Sequence, residues 1–446
     1  MTAKDIAIIA TVDTKEAEAR FLQEFITSHG WQAPVLDVST HRPHNFQATY
    51  SREEICRRAG VEYKDLGTLH RDAMMATMGR GAARVLMELY DRGELAGVLG
   101  IGGNQGTAIA AMAMRSLPVG LPKLIVSTVA SGNVRPYVEY KDITMMFSVA
   151  DLLGGPNTVS RTILSNAAGA VIGMAAWGQP LKAGERPVIA ITALGNTDPA
   201  VAAARGRLVE LGYEVIAFHA SGTCGSAMEE LIEAGLINGV LDLTPHELIG
   251  EVHGADIYTP LRPRLEAAGR RGIPQVVSLG GLDYFCFGPA DTIPQRFQGR
   301  KTHYHNPYNT NVRATGGELA QVGEVMAAKL NAARGPVVVM VPLKGWSENG
   351  RAGGPLYDQE ADAALVASLE ANLNPGIKLM KLNAHINDPI FAASAVAVLH
   401  QLMEVSRPVD GTFPREAVEK GTLPPKNPKW RRSLTPESAI VKQAPR

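Results

Sequence analysis

The chain has 446 residues, 45% of them hydrophobic, and its 44 Lys and Arg residues balance 44 Asp and Glu residues. This length suits two domains rather than a single core. A net charge of zero provides no field that would attract nucleic acid or an anionic membrane, so neither is expected as a partner. Three cysteines without a close pair argue against a disulfide framework and favour the reducing cytoplasm. The first residues enter a strand without a signal pattern, and the longest apolar stretch, 169–177, is shorter than the roughly 20 residues of a membrane span.

Short runs rich in Val, Ile and Leu alternate with helical patterns along most of the chain. Several of these runs are apolar at nearly every position, which is typical of parallel strands covered by helices on both faces. Strands are predicted at 5–10, 34–38, 96–101, 122–128, 187–193, 213–218, 238–243, 273–279, 336–342 and 377–382. Helices are predicted at 15–28, 51–59, 72–92, 105–116, 199–211, 225–234, 316–333, 360–371 and 388–405. The alternation predicts an α/β fold with doubly wound sheets.

The two halves of the chain carry similar segments in the same order. In each half an apolar run is followed by a polar loop, a helix that ends at a glycine and a second apolar run. The matched segments are 6–40 with 189–221, 93–104 with 235–246, and 121–132 with 273–283. We therefore expect two Rossmann-like domains related by internal duplication.

The domain limits follow from composition. A first domain is predicted at 1–180 and a second at 187–405, because residues 178–187 combine Gly, Pro and charge between periodic segments. Residues 406–446 are Pro-rich and without periodicity, which predicts an extended carboxy-terminal arm or tail.

The strongest ligand-binding motif is GVLGIGGNQGT at 97–107, where a buried strand enters a helix through a glycine-rich loop. Glycines let a backbone approach an anion closely and adopt positive φ, and the amides of a helix start favour phosphate. The loop lacks the Lys of a Walker motif and the spacing of a dinucleotide fingerprint. A tight turn without a ligand is the alternative. The candidate phosphate-binding residues of this loop are Gly102, Gly103, Asn104, Gly106 and Thr107.

Two further loops of the first half follow strands that should end at the same sheet edge. Asp13, Thr14 and Lys15 follow the first strand, where they could hold a metal and a phosphate or could cap a helix. Ser131 and Gly132 follow a later strand in STVASGNVRPY. Small polar residues at three strand ends predict one convergent site.

The second half carries the candidate catalytic residues, namely Glu247, His303, His305 and Arg313. His303 and His305 share a face only in an extended segment, where they could hold a divalent metal, line a substrate pocket or form a dimer contact. Cys224 begins a predicted helix and could be a nucleophile or a small buried residue. We expect an active cleft between the two halves, with the His-rich segment facing a nucleotide near Thr107.

These motifs resemble the Tm-type ATP-binding family, whose plant member is the amino-terminal domain of the tomato mosaic virus resistance protein. The resemblance runs to about residue 405 through TVDTKEAE, GIGGNQGT, STVASGNVRPYV, FHASGTCGSAMEELI, GVLDLTPHEL, SLGGLDYFCFG, HNPYNTNVR and NDPIFA in that order. It implies two Rossmann-like subdomains, ATP binding in the first subdomain, and a homodimer. The ATP-binding residues that it implies are Asp13, Thr14, Lys15, Gly102, Gly103, Asn104, Gly106, Thr107, Ser131 and Gly132.

Two classes of function remain open. One is an enzyme that binds ATP in its first half and a small polar metabolite, such as a hydroxy acid or sugar acid, in its second. A ligase or phosphotransferase would fit, with Mg²⁺ neutralising phosphate charge. The other is a nucleotide-binding sensor or interaction module without chemistry. An NAD-dependent dehydrogenase is disfavoured because the first strand–helix turn, TVDTK, lacks glycine.

Overall fold

A computed structural model describes residues 4–182 and 184–406 of the chain. The chain divides into two compact units, one ending at Leu181 and the other beginning at Lys182. The arm or tail predicted at 406–446 lies outside the described residues from position 407 on.

The first unit contains a five-stranded sheet in which every described pairing is parallel. Its strands are β1 (Asp5–Ala10), β2 (Val35–Asp37), β3 (Leu95–Gly102), β4 (Lys123–Ser127) and β5 (Thr144–Phe147), in the spatial order β2-β1-β3-β4-β5. Its helices are α1 (Val12–Ser28), α2 (Arg52–Arg58), α3 (Tyr63–Leu66), α4 (Arg71–Asp91), α5 (Asn104–Arg115), α6 (Arg135–Val138) and α7 (Thr158–Trp177).

Strand β1 shows why the predicted strands are apolar at nearly every position. Ala7 and Ile9 pack in a core with residues of α4 and α5, whereas Ile6 and Ile8 pack in a second core with residues of α1 and α7. Successive side chains of a strand point to opposite faces, so helices on both faces bury every position.

The second unit contains a six-stranded sheet whose pairings are also parallel. Its strands are β6 (Val188–Ala193), β7 (Glu214–His219), β8 (Gly239–Asp242), β9 (Gln275–Val277), β13 (Val337–Pro342) and β14 (Lys378–Leu382). The three strands between β9 and β13 in the chain form a separate sheet. The separate sheet is antiparallel, in the order β10-β12-β11, and consists of β10 (Tyr284–Phe287), β11 (Thr302–Asn306) and β12 (Asn309–Arg313). The helices are α8 (Asp198–Glu210), α9 (Thr223–Glu233), α10 (Glu247–His253), α11 (Ala267–Arg271), α12 (Gly316–Asn331), α13 (Gln359–Asn372) and α14 (Pro389–Ser406).

The order of five strands is the same in both parallel sheets. From one edge the first sheet runs β2-β1-β3-β4-β5, and the second runs β7-β6-β8-β9-β13 before adding β14. Strands β1 and β6, which begin near Ile6 and Ile189, therefore occupy equivalent places. The prediction of an α/β fold with two parallel, Rossmann-like sheets is confirmed.

Three features differ from the predicted elements. The antiparallel sheet was expected to be loop, because β11 is polar and largely exposed and gives no apolar run. Strand β5 and helix α7 were also not predicted, although α7 contains the apolar stretch 169–177. Helix α14 is long and apolar enough to cross a membrane, but half of it is buried in the fold, as expected for a core helix.

Candidate functional site

Three polar loops lie at the carboxyl edge of the first sheet, after the adjacent strands β1, β3 and β4. The β3–α5 loop lies between the other two. A Cβ atom at Gly106 would lie 3.6 Å from Oγ1 of Thr11, and one at Gly103 would lie 3.6 Å from Oγ1 of Thr128. The structure therefore brings the ends of these three strands together.

Two glycines of the β3–α5 loop differ in whether the fold requires them. A Cβ at Gly102 would come within 2.7 Å of Cα of Gly106, so a side chain there would push the turn apart. Gly103 instead has φ −79° and ψ −158°, and an added Cβ would make only one ordinary contact. No described glycine of this loop has positive φ. Close packing explains Gly102, whereas the fold itself leaves Gly103 free to vary.

The first turn of α5 has the form of an anion-binding helix start. Gly103 is its N-cap, and among the described residues no side chain caps the turn. The amide of Thr107 donates to the carbonyl of Gly103 at 2.9 Å and closes the first helical hydrogen bond. The preceding amides of Asn104 and Gln105 lie at the positive end of the helix dipole. Asn104 is exposed, and its Oδ1 accepts a hydrogen bond from the hydroxyl of Tyr137 at 2.9 Å.

The candidate residues in these loops differ in their exposure to solvent. Thr107 is fully buried, and its hydroxyl shares a 2.6 Å hydrogen bond with the hydroxyl of Ser127. Thr107 therefore joins α5 to β4 instead of facing solvent. Ser131 and Gly132, in contrast, are exposed in the loop that follows β4.

The residues after β1 hold neighbouring backbone. The carboxylate of Asp13 accepts hydrogen bonds from the amides of His41 and Arg42 at 3.3 and 3.2 Å. Lys15 is buried, and its ammonium donates to the carbonyl of the exposed Thr14 at 3.5 Å. Asp13 thus ties the β1 loop to the loop that follows β2.

A buried acid and a histidine that the sequence did not single out complete this edge. Asp37 ends β2 with 1% exposure, and Nε2 of His44 lies 2.8 Å from its Oδ2. Asp37 also accepts hydrogen bonds from the amide and hydroxyl of Ser39. The polar stretch between them resembles an ordinary loop, so only the folded chain reveals the pair.

In the second unit, Glu247 belongs to a buried ionic network centred on Arg264. Both residues are fully buried, and Nε of Arg264 donates to Oε2 of Glu247 at 2.5 Å. The same guanidinium donates to Glu229 at 2.7 Å and to Asp242 at 2.9 Å. Burial opposes the charge on Arg264, but these three carboxylates raise its pKa, so it stays protonated.

The other oxygen of Glu247 binds the glycine-rich first turn of α9. Its Oε1 accepts hydrogen bonds from the amides of Gly222 and Gly225 at 2.6 and 3.2 Å. A Cβ at Gly225 would overlap the Glu247 carboxylate. The anion at this helix start is therefore the protein's own side chain, and the geometry gives Glu247 a structural role. Cys224, in the same first turn, is partly buried.

Arg313 is buried in β12 and joins three segments of the second unit. Its Nη1 donates to the carbonyl of Asp283 at 2.6 Å, and its Nη2 donates to Oδ1 of Asp362 at 2.5 Å. Burial raises the pKa of Asp362 to about 7, although Arg313 opposes this rise. The carboxylate of Asp283 in turn accepts a 2.6 Å hydrogen bond from the hydroxyl of Ser347.

His303 and His305 lie on β11, the edge strand of the antiparallel sheet. Their ring centroids are 6.3 Å apart, so the two imidazoles share a face as expected for an extended segment. His305 is exposed and His303 half-buried, while Tyr304 and Tyr308 of the same hairpin are 58% and 80% exposed. Arg313 is engaged with buried acids, whereas the histidines border solvent.

Buried polar atoms without a hydrogen-bond partner concentrate in the second unit. Among the described residues, ten of the eleven such side-chain atoms lie there, and the exception is Nδ1 of His44. Seven of these atoms lie around the carboxyl edge of the second sheet and around the antiparallel sheet. They belong to His246, Asp283, Asn309, Thr310, Arg313, Asn349 and Asn387. Such atoms are costly when unpaired, so they indicate waters or a polar ligand.

A cavity of about 850 Å³ opens beside β13 and α13 in the second unit. Its lining includes Trp346, Asp362 and His385, together with the exposed Lys344 and Arg351. Asp362 connects this cavity to Arg313. The charged lining of the cavity is mixed, with Lys344, Arg351 and Lys381 beside Asp362, Glu370 and Asp388, which suits a small polar ligand.

Two models of the Uncharacterised protein family (UPF0261) match the chain. The model of its N-terminal domain matches residues 4–180, and that of its C-terminal domain matches residues 186–403. The chain belongs to the UPF0261 family. The family description assigns no ligand or reaction.

Relatives in bacteria and plants extend over the same residues. A UPF0261 protein of Clostridium tetani is 40% identical over 90% of this chain and 99% of its own length. A UPF0261 protein of Rhizobium meliloti is 39% identical with equal coverage. The ToMV resistance protein Tm-1(GCR237) of Solanum lycopersicum is 37% identical over 90% of this chain, which spans 56% of that protein. The predicted resemblance to the plant resistance protein is confirmed.

Similarity to solved structures is low. A Listeria monocytogenes structure described as a UDP-N-acetylglucosamine 2-epimerase shares 13% identity at a TM-score of 0.20. The match covers 62% of this chain and 79% of that one. A score at this level bears on neither fold nor function.

Proposed function

We propose that the first unit binds ATP through the β3–α5 loop. The observation that carries the proposal is the uncapped first turn of α5, which begins at the exposed Asn104 beside a glycine that the turn itself does not require. Free helix-start amides and their dipole favour phosphate. Ser131 and Gly132, in the loop after β4, and Thr14, after β1, would contact the remainder of the nucleotide. Mg²⁺ would neutralise phosphate charge, with Asp13 as the candidate carboxylate.

We further propose that the second unit binds a small polar acid, such as a hydroxy acid or sugar acid. Its support is the cavity lined by Asp362, whose carboxylate accepts a hydrogen bond from Arg313, together with the unpaired polar atoms elsewhere in the same unit. Together the two sites would suit an ATP-dependent ligase or phosphotransferase. A sensor without chemistry is the alternative, and the plant relative's printed name as a resistance protein is the observation that favours it.

Nucleotide binding is tested by calorimetry with ATP and Mg²⁺ on the full chain and on Gly103→Val. The added side chain makes only an ordinary van der Waals contact with the protein, so unfolding should stay cooperative. It would occupy the position proposed for phosphate, so ATP binding should be lost. Gly67→Val is the matched control, because Gly67 lies in open space in the same unit and has a helical φ. Unchanged ATP affinity in Gly103→Val contradicts the proposal.

The second substrate is sought by thermal shift with a panel of small acids, with and without ATP–Mg²⁺. A ligand that binds the folded state raises the unfolding temperature. ATP turnover that depends on one of these acids supports the enzyme, whereas ATP binding without turnover under every condition supports the sensor. Arg313→Lys keeps the charge but loses the forked contacts, so it should weaken acid binding without affecting ATP binding.

The finer predictions from the sequence belong to the same proposal. Common strand order supports an origin of the two units by internal duplication. A cytoplasmic homodimer is proposed, supported by the exposed Tyr304 and Tyr308 at the tip of the β11–β12 hairpin. Light scattering of the full chain and of Tyr308→Ser tests the dimer, because a tyrosine that anchors an interface leaves mostly monomer when it is removed.

A further inference from the structure

An imidazole, a carboxylate and a thiol meet inside the second unit. None of the three belongs to the residues that contact Arg313. His246 precedes α10, Asp256 follows that helix, and Cys286 lies in β10. Their ligand atoms all lie within 4.8 Å of one another, and Nε2 of His246 is 3.3 Å from Oδ2 of Asp256. All three residues are buried, with exposures of 0%, 6% and 2%. We propose that His246, Asp256 and Cys286 form a binding site for a single Zn²⁺ ion.

The orientation of His246 supports metal ligation. Its Nδ1 lies 2.5 Å from the carbonyl of Gly281, which can only accept, so Nδ1 carries a proton and Nε2 is the nitrogen that faces Asp256. Although Nε2 is near Asp256, it lacks a hydrogen bond of acceptable geometry within the described residues. A ligating histidine usually has this arrangement, with the second nitrogen held by a carbonyl.

The carboxylate of Asp256 is equally well positioned. Its Oδ1 accepts a hydrogen bond from the amide of Tyr258 at 2.7 Å, and its Oδ2 accepts one from the amide of Cys286 at 2.5 Å. These contacts tie the acid to the strand that carries the cysteine. Sulfur, imidazole nitrogen and carboxylate oxygen are all ligands of Zn²⁺, and three protein ligands leave a fourth position open.

Aromatic side chains surround the fourth coordination position, which the three protein ligands would leave open. The ring of Tyr284 lies 5.0 Å from that of His246, and the ring of Tyr258 lies 5.9 Å from it. The half-buried Tyr258 receives a hydrogen bond from Asn309, whose Oδ1 is one of the unpaired buried atoms.

A nucleophilic Cys286 is the competing interpretation. Its Sγ lies 3.6 Å from Oδ1 of Asn311, which suits a neutral thiol donor. Zn²⁺ would displace this proton into solvent and bind the thiolate.

The test uses full-length protein without a polyhistidine tag, stripped by chelator and loaded with Zn²⁺ or Co²⁺ in the absence of nucleotide. Elemental analysis should find about one metal ion per chain. The Co²⁺ form should show a near-ultraviolet thiolate-to-cobalt charge-transfer band. The wild-type protein is sufficient to overturn the proposal: the result that does so is substoichiometric metal or a cobalt spectrum without this band.

Cys286→Ser locates the site and should abolish the charge-transfer band. Cys224→Ser is the matched control, because Cys224 is a partly buried thiol outside the cluster, and it should retain the band. Equal bands in both variants would place the metal elsewhere and overturn the assignment. Because the measurement needs no ATP or acid, its result is independent of the proposed function.

Discussion

The two glycine-rich turns of this chain look alike in sequence but hold their helix starts differently. The turn before α5 has no side-chain cap among the described residues, so its amides can meet an external anion. The turn before α9 is closed by Glu247, whose carboxylate accepts from Gly222 and Gly225. A glycine-rich turn therefore predicts an anion at a helix start, but it does not say whether the anion is a ligand or part of the protein.

Removing the internal anion should produce the largest effect. Glu247→Ala leaves Arg264 buried with one partner fewer and the α9 amides unpaired, so we expect a loss of about 3–5 kcal/mol in the free energy of unfolding. Urea denaturation of the second unit measures this loss. Glu370→Ala removes an exposed ion pair with Lys381 in the same unit and should cost less than about 1 kcal/mol. Similar costs for both variants would contradict a structural role for Glu247.

The second unit should also show a dependence of stability on pH that comes from Asp362. The pKa of Asp362 is about 7 in the folded chain, above its ordinary value of 3.8. Between these values the folded state holds a proton that the unfolded state has released, so stability should fall as pH rises from about 4 to 7. The loss should be roughly 2–4 kcal/mol.

Asp362→Asn should flatten this profile, as measured by urea denaturation across the pH range. Asp291→Asn, at an exposed position of the same unit, is the control and should leave the profile unchanged. An identical slope in wild-type protein and Asp362→Asn would show that another group titrates.

A pair of glycine substitutions compares the two turns directly. Gly225→Ala places a methyl group against the Glu247 carboxylate and should destabilise the protein by about 1–3 kcal/mol. Gly103→Ala meets only an ordinary contact, so its effect should stay within about 0.5 kcal/mol. Thermal unfolding of both variants checks the difference. If Gly103→Ala is the more damaging change, the α5 turn is as closely packed as the α9 turn.

The smallest effect is expected at the exposed hairpin. His305→Ala should change the free energy of unfolding by less than about 0.5 kcal/mol, because the side chain borders solvent. Light scattering and ligand binding on the same variant separate its possible roles. A shift toward monomer with unaltered binding supports a dimer contact, whereas weaker acid binding with the dimer intact supports a ligand contact.

The sequence by itself determined the parallel sheets. Continuous apolar runs such as 5–10 and 336–342 can be buried only between two layers of helices, so the period of the pattern specifies the fold class. It also located the β3–α5 loop, since glycines between a buried strand and a helix start have a local physical reason. The spacing of His303 and His305 predicted a shared face only for an extended segment, and the fold supplied that condition by placing both residues in β11.

Tertiary structure decided what each polar side chain touches. Glu247 is 17 residues from Arg264, and Asp256 is 30 residues from Cys286, so no local pattern marks either contact. The antiparallel sheet was missed because the polar strand β11 pairs with β12 through its backbone, which leaves no apolar signature. Periodicity records which positions are buried. The partner of a buried charge depends on how distant segments pack, and only the folded chain specifies that packing.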